Sequence, residues 1–503
     1  MILRAKEVKG EAEASPFALE TLGRLPLAEG FYLLWAYIAP DDFLQALFDE
    51  HRGRCYDDLL SFPEIILVLA DALTRYHGSG NRAITKAIQR QQLSVQARAV
   101  YGKLSRLPLP LAEALLSGLT ARLRPLFPHA LFRSDIPASL RGLNLVVLDG
   151  KKIKRVAKRL LAVRGRPGRL FGGKILVAYS PADGLAVALA ADPDGEANDI
   201  RLMPRAVVLA RAAVAGPRLW IADRQFCDLD QPGRFTEGDD HYLVRFSQKC
   251  GFEADPQRPR QEGVNEQGQA VVQEWGWMGS ANDPRRRYVR RITLVRPADE
   301  DVTLVTDLLD EHRHPALDLL LAYLMRWQIE NVFQEITEVF ELRHLIGTSP
   351  KATVLQASLC LVIYNLLQVI RGHAALAAAK VEAQAAPEPK AARAQPGVSP
   401  VEALSSEKIF ADLHEELIGL HRVLQPQELL PCLPVPPSAD AARHRLGQLL
   451  ERAWSADWKK ATNKRRRPAK PHAKQSGAHT SVHKALLEAR DAKQRGTKAI
   501  SSP

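Results

Sequence analysis

Apolar positions recur at helical spacing through the first 130 or so residues of the chain. The stretches FYLLWAYIAPDDFLQALFDE and FPEIILVLADALTRY each carry a hydrophobic stripe, with polar breaks between them. The segment AITKAIQRQQLSVQARAVYGKLSRL reads as two short helices around residues 91–94, either a plain helical pair or a helix-turn-helix. The texture changes at Leu143. LNLVVLDG is an apolar strand ending in an acid and a turn residue, and GKILVAYS and GLAVALAADPDG follow as two more strands joined by the turn PADG. A helical pattern, NDIRLMPRAVVLARAAV, leads to the strand PRLWIAD, which ends at Asp223, and to the strand HYLVRFSQ. Strands, helix and strands in this order predict an α/β unit around a mixed sheet.

From residue 249 to 307 the pattern is short strands and polar turns, a β-rich insertion that includes QAVVQEWGWMG and RRYVRRITLVRP. Trp275 and Trp277 lie at strand spacing on one side of it, and core packing is the expected use of both. Helical periodicity returns at His314 and runs to about Phe340. The most lipid-like run, VLQASLCLVIYNLLQVI, contains Gln356, Ser358, Asn365 and Gln368 and falls short of the roughly 20 apolar residues a membrane span needs. It is expected to be a buried helix. An Ala/Pro-rich linker follows, then a short helical stretch and a basic tail expected to be disordered outside VHKALLEARDAKQ.

The resulting division is a helical region over residues 1–135 and a catalytic α/β unit over 140–345, interrupted by the insertion at 249–307. A buried helix over 346–375, a linker over 376–400 and a helical segment with the tail over 401–503 complete it.

Composition narrows the class. Hydrophobic residues make up 46% and charged residues 25% of the 503, as in a soluble globular protein of more than one structural unit. The net charge of +12 sits mostly at the end, because residues 458–503 hold thirteen Lys/Arg against two Asp/Glu. The body has one strong basic concentration, KKIKRVAKRLLAVRGRPGR, directly after Asp149. Five scattered cysteines form no Cys-x-x-Cys pair, and the first residues have no apolar core of signal-peptide length. Both features predict a reducing cytoplasm and no membrane. Histidines show no metal-ligand spacing, and neither a serine-nucleophile signature nor a Gly-x-x-x-x-Gly-Lys phosphate loop occurs.

The chemistry concentrates in YLMRWQIENVF, residues 323–333. On a continuous helix Tyr323, Arg326 and Glu330 share one face, while Met325, Ile329, Val332, Ile336 and Val339 form the stripe to be buried. Asp149 and Asp223 each end an apolar strand, where α/β sheets place their ligands. Asp149, Asp223 and Glu330 together can hold a pair of divalent ions, and carboxylate oxygens suit Mg²⁺ or Mn²⁺. Two such ions can serve an in-line displacement at phosphorus. Lys151 and Lys152, at the head of the basic run, are placed to meet a DNA backbone.

Strand–Asp149, strand–Asp223–Arg224, a β-rich insertion, then Tyr323-x-x-Arg326-x-x-x-Glu330 resembles the DDE transposases of the IS4 family of bacterial insertion sequences. The resemblance spans residues 143–340. It implies an RNase H-like catalytic core interrupted by a β-rich insertion. Its activity would be metal-dependent cleavage of double-stranded DNA at terminal inverted repeats and strand transfer into target DNA. It implies Asp149, Asp223 and Glu330 as catalytic metal ligands for two Mg²⁺, with Mn²⁺ able to substitute. Tyr323, Arg326 and Arg224 become phosphate contacts, the helical N-terminal region the DNA-end binder, and the DNA-bound complex a homodimer. The family pattern continues with a Lys seven positions after the Glu, where this chain has Thr337. That departure keeps two alternatives open: a nuclease of the same fold without strand transfer, and an inert DNA-binding descendant.

Overall fold

In a computed structural model the protein is described over residues 15–128, 136–154, 156–297, 299–342, 344–385, 400–433, 435–460 and 479–500. Seven helices come first: α1 (Pro16–Gly23), α2 (Pro26–Ile38), α3 (Asp41–His51), α4 (Phe62–Arg75), α5 (Gly80–Gln89), α6 (Ala97–Leu104) and α7 (Leu109–Leu123). Their starts are written locally. Proline occupies the first turn of α1, α2, α4 and α7, where its missing N–H costs nothing. Ser61 and Glu64 close a reciprocal capping box at the head of α4.

The catalytic half begins with the antiparallel strands β1 (Asn144–Lys154), β2 (Arg169–Ser180) and β3 (Leu185–Asp192). Helix α8 (Asp199–Ala213) leads into β4 (Arg218–Ala222), and α9 (Gln231–Phe235) into β5 (His241–Arg245). Strands β4 and β5 run parallel to β1, which gives the sheet order β3-β2-β1-β4-β5 of an RNase H-like core. The insertion contributes β6 (Phe252–Ala254), β7 (Gln261–Val264), β8 (Ala270–Met278), β9 (Arg287–Leu294) and β10 (Val302–Thr306). It is not a separate module. Arg245 of β5 pairs with Leu304 of β10, so the insertion extends the same sheet, which reaches eleven strands among the described residues.

After the sheet come α10 (Ala316–Leu324), α11 (Trp327–Glu338), α12 (Pro350–Ala385), α13 (Ser406–Val423), α14 (Pro426–Leu429) and α15 (Ala439–Ala453). Helix α12 is long and apolar enough to cross a membrane, yet its most apolar stretch is buried throughout by protein. Its polar residues explain why. Gln356 accepts from the Ile346 N–H (2.8 Å) and donates to the His344 carbonyl (3.0 Å). Ser358 donates to the Ala112 carbonyl (2.6 Å), and Asn365 both donates to and accepts from the Ala186 backbone. Each of these polar side chains thus ties α12 to a neighbouring segment and is itself satisfied inside the core. The helix runs to Ala385, into the stretch whose composition reads as linker; residues 386–399 lie outside the described set.

The tail departs from expectation. Strand β11 (His479–Ser481) pairs in parallel with β2, and helix α16 (Val482–Ile500) follows it. Only a helix was foreseen there, because three residues, HTS, carry no periodic signal. The most basic part of the tail, 461–478, lies outside the described residues.

Candidate active site

Leu148 on β1 is paired in parallel with Ala222 on β4, so the next residues, Asp149 and Asp223, stand next to each other where that pairing ends. Asp223 stands just past the end of its strand, as expected. Asp149 does not: β1 continues to Lys154 against β2, with Asp149 opposite Val177. What ends at Asp149 is the pairing with β4, and the divergence of the two strands opens the space above them.

Tyr323, Arg326 and Glu330 do not lie on one unbroken helix. Helix α10 ends at Leu324 and α11 starts at Trp327. Across the join the Arg326 N–H bonds the Tyr323 carbonyl and the Gln328 N–H bonds the Met325 carbonyl, both 3.0 Å and both spanning three residues. Such tightening eclipses side chains three apart, and it sets the Tyr323 ring near the Arg326 guanidinium, 5.8 Å from its centroid. Ile329, Val332 and Ile336 are buried behind α11, as the periodicity requires.

Arg326 joins the acids. Its Nη1 lies 3.2 Å from Glu330 Oε1 and 3.8 Å from Asp149 Oδ2. Burial works against the guanidinium charge, but Tyr323, Asp223, Asp149 and Glu330 together hold its pKa above the ordinary value. Among the described residues Arg326 Nε is buried without a hydrogen-bond partner, and the buried Tyr323 Oη faces only the Arg326 guanidinium, without a well-formed hydrogen bond. Burial also pushes the Tyr323 phenol up to about 12, so it remains a donor. Asp149 is pushed up to about 6, chiefly by burial; the Gly150 N–H and Arg326 pull it down, while Asp199 and Glu330 push it further up.

Asp199 is a member of the site that sequence reading missed. It opens α8, accepts from Gln225 Nε2 (2.6 Å) and pairs with Lys174 of β2 (2.6 Å). A Cβ on Gly150 would lie 2.1 Å from its Oδ1, so only glycine fits between the two acids. One buried carboxylate therefore braces the residue after Asp149 and the residue two beyond Asp223. The available signal was weak: Asn198-Asp199 reads as a helix cap, and Gly150 as a turn.

The flanking cations are arranged differently from expectation. Strand alternation sends Lys151 and Lys152 to opposite faces. Lys151 shares the face of Asp149 and turns inward, donating to the Phe333 carbonyl of α11 (2.9 Å). Burial, with Lys154 adding to it, lowers its pKa to about 8. Thr337 donates to the same carbonyl (2.6 Å), so the ammonium of Lys151 stands beside the position where the family pattern has its lysine. Lys152 is exposed and lies over the Phe171 ring (5.5 Å). Arg224 is exposed and shares Glu300 with Arg245. Arg343, near this motif in sequence, lies outside the described residues. In the insertion Trp275 is wholly buried and donates to the Leu309 carbonyl (2.9 Å), whereas Trp277 is 39% exposed beside Arg286.

The donor set suits a divalent cation: three hard oxygen ligands, one of them protonation-prone because its charge is poorly compensated. The set is not drawn up as a finished cage, since no three acids or other ligating side chains among the described residues lie close enough together. Arg326 occupies the gap between Asp149 and Glu330.

Two comparisons bear on this geometry. Residues 141–366 match the family described as Transposase DDE domain. The chain is also 24% identical over 203 residues to the putative transposase y4zB of Sinorhizobium fredii, a match covering 40% of this chain and 54% of that relative. The matched segment contains both sheet acids, the insertion and the α10–α11 motif, and residues 141–366 of this chain are therefore a transposase DDE domain.

Proposed function

We propose that the chain is a transposase of the IS4 type. It cleaves double-stranded DNA at the terminal inverted repeats of its element and transfers the freed strands to target DNA. The observation that carries this reading is the parallel register that sets Asp149 beside Asp223, with Arg326 linking Asp149 to Glu330. Asp149, Asp223 and Glu330 hold two divalent cations, Mg²⁺ with Mn²⁺ as a substitute. Once bound, the cations supply activation of the attacking oxygen and stabilisation of the leaving one. The residues of the chain do the rest. Tyr323 and Arg326 offer their unbonded buried donors to phosphate oxygens, and Arg326 exchanges carboxylate partners for phosphate as DNA enters. Lys151 supplies the positive charge that Thr337 lacks, which favours an active enzyme over an inert descendant. The protein acts in the cytoplasm as a homodimer that pairs two DNA ends.

Purified full-length protein, incubated with duplex DNA carrying the element's ends and Mg²⁺, should cut at the end and then join it to a target duplex. Cutting without joining would reduce the reading to a nuclease, and binding without cutting would overturn it.

A further inference from the structure

Away from the catalytic acids, helices α4, α5 and α13 enclose a cavity of about 300 Å³. Arg75, Arg82, Lys86, Arg90 and Arg422 line it, and none of the described residues that line it is acidic. Arg82, Lys86 and Arg90 recur every four residues, which places three cations along one face of α5 over about 12 Å.

The helix dipole accounts for part of this pattern: Lys86 in the last turn and Arg90 at the C-cap lie at its negative end, but Arg82 sits in the first turn, where a cation is disfavoured. Like charges four residues apart on a helix repel, at a few tenths of a kcal/mol per pair. Among the described residues Arg82, Lys86, Arg90 and Arg422 have no acidic partner; Arg82 has only the Tyr76 ring at 5.8 Å and Lys86 only the Gln89 amide at 3.1 Å. Arg75 does pair with Asp71 (3.1 Å), but its buried Nε, on a side chain only 6% exposed, has no partner. His421, on the wall, has its pKa pushed down first by burial and further by positive charge that includes Arg75 and Arg90. Cations without acidic partners, gathered round a buried guanidinium nitrogen that has none, make a basin whose charge an anion would complete.

We propose that this basin grips the phosphodiester backbone of duplex DNA at a second place, away from the catalytic acids. The inference rests on the transposase reading for its choice of DNA, and it goes further by assigning the contact to one face of α5 closed by Arg422 of α13. Because Arg422 follows the catalytic domain in sequence while α5 precedes it, DNA held here bridges the two ends of the chain.

The test uses the full chain and a fluorescent duplex without any terminal repeat, with affinity measured across salt concentrations. Substituting Arg82→Ala, Lys86→Ala and Arg90→Ala together should weaken binding at low salt by at least about tenfold and reduce the salt slope by about 2–3. Arg82 and Lys86 are exposed and Arg90 is half-buried, and none of the three has an acidic partner among the described residues, so the variant's melting temperature should not fall. A control removing Arg24, Arg52 and Arg260, which already have acidic partners, should leave the slope unchanged. An unchanged slope in the basin variant, or an equal loss in the control, would overturn the proposal. Inorganic tripolyphosphate supplies the second arm. If it raises the melting temperature of the wild type but not of the variant while DNA binding is the same in both, the ligand is a free polyphosphate and the DNA assignment fails. If the wild type does not cut DNA but the basin variant still loses binding, the basin stands and the catalytic reading falls.

Discussion

The insertion and the catalytic floor belong to one sheet, but they treat charge in opposite ways. Along β6 to β10 arginines meet acids: Arg258 meets Glu311, Arg286 Glu253, Arg291 Glu274 and Arg296 Asp299. On the floor above β1 and β4, the tyrosine and arginine keep unbonded buried donors and a carboxyl is held near 6. These pairs neutralise most of the insertion's charge, although Arg286 and Arg287 each keep a buried Nε without a partner; what the floor adds is a carboxyl raised by burial beside its own unbonded donors. Unmatched groups, held in place by buried neighbours, make a surface whose electrostatics are finished only by a substrate or a cation.

This contrast can be broken most forcefully at Asp149. Asp149→Asn should reduce end cleavage by on the order of 10³-fold. It should also stabilise the fold. The folded carboxyl ionises near 6 against an ordinary 3.8, so the folded chain holds an extra proton between those values and loses stability as pH rises through that window. Removing the ionisation should therefore raise stability at pH 7 by at most about 3 kcal/mol. Denaturation curves for both proteins at pH 4 and pH 7 measure it, and a variant less stable than the wild type at pH 7 would contradict the account.

Next in size is the brace. Asp199→Asn strips Lys174 of its buried partner, and urea denaturation should show a loss of about 3–5 kcal/mol, with cleavage falling even in protein that remains folded. Titration of the metal-free protein gives a third handle. The Asp149 carboxyl should ionise near pH 6, and Arg326→Gln should move that step to higher pH, because Arg326 is among the groups that favour the carboxylate; carbon-detected NMR of the labelled side chain measures it. Smallest of all, Arg260→Met in the insertion, whose pair with Glu262 is exposed on both sides, should change stability by no more than about 1 kcal/mol and leave cleavage unaltered. A large effect there would erase the distinction between the two regions.

Much of the fold was legible because its signals are local. The alternation of strands and helices from Leu143 to Arg245, the buried α12 and the acids at Asp149 and Asp223 follow from runs of a few residues. What escaped depends on contacts distant in sequence. Asp199 matters only because Gly150, Lys174 and Gln225 converge on it from three other segments. The break between α10 and α11 is invisible to a periodicity that continues across it. Lys151 looked like part of a basic surface, and only strand alternation against α11 turned it inward. Likewise the insertion's union with the core depends on residues 245 and 304 meeting.

Strand β11 has a bearing on how the molecule is made. It is the last strand among the described residues, yet it covers Arg169–Phe171 at the start of β2, some three hundred residues earlier, next to the stretch from Lys174 that β3 already pairs. A ribosome adding roughly 5–20 residues per second leaves those three residues without this partner for tens of seconds. During that interval a short piece of sheet edge keeps free backbone groups. A chain stopped short of residue 479 would keep that piece open.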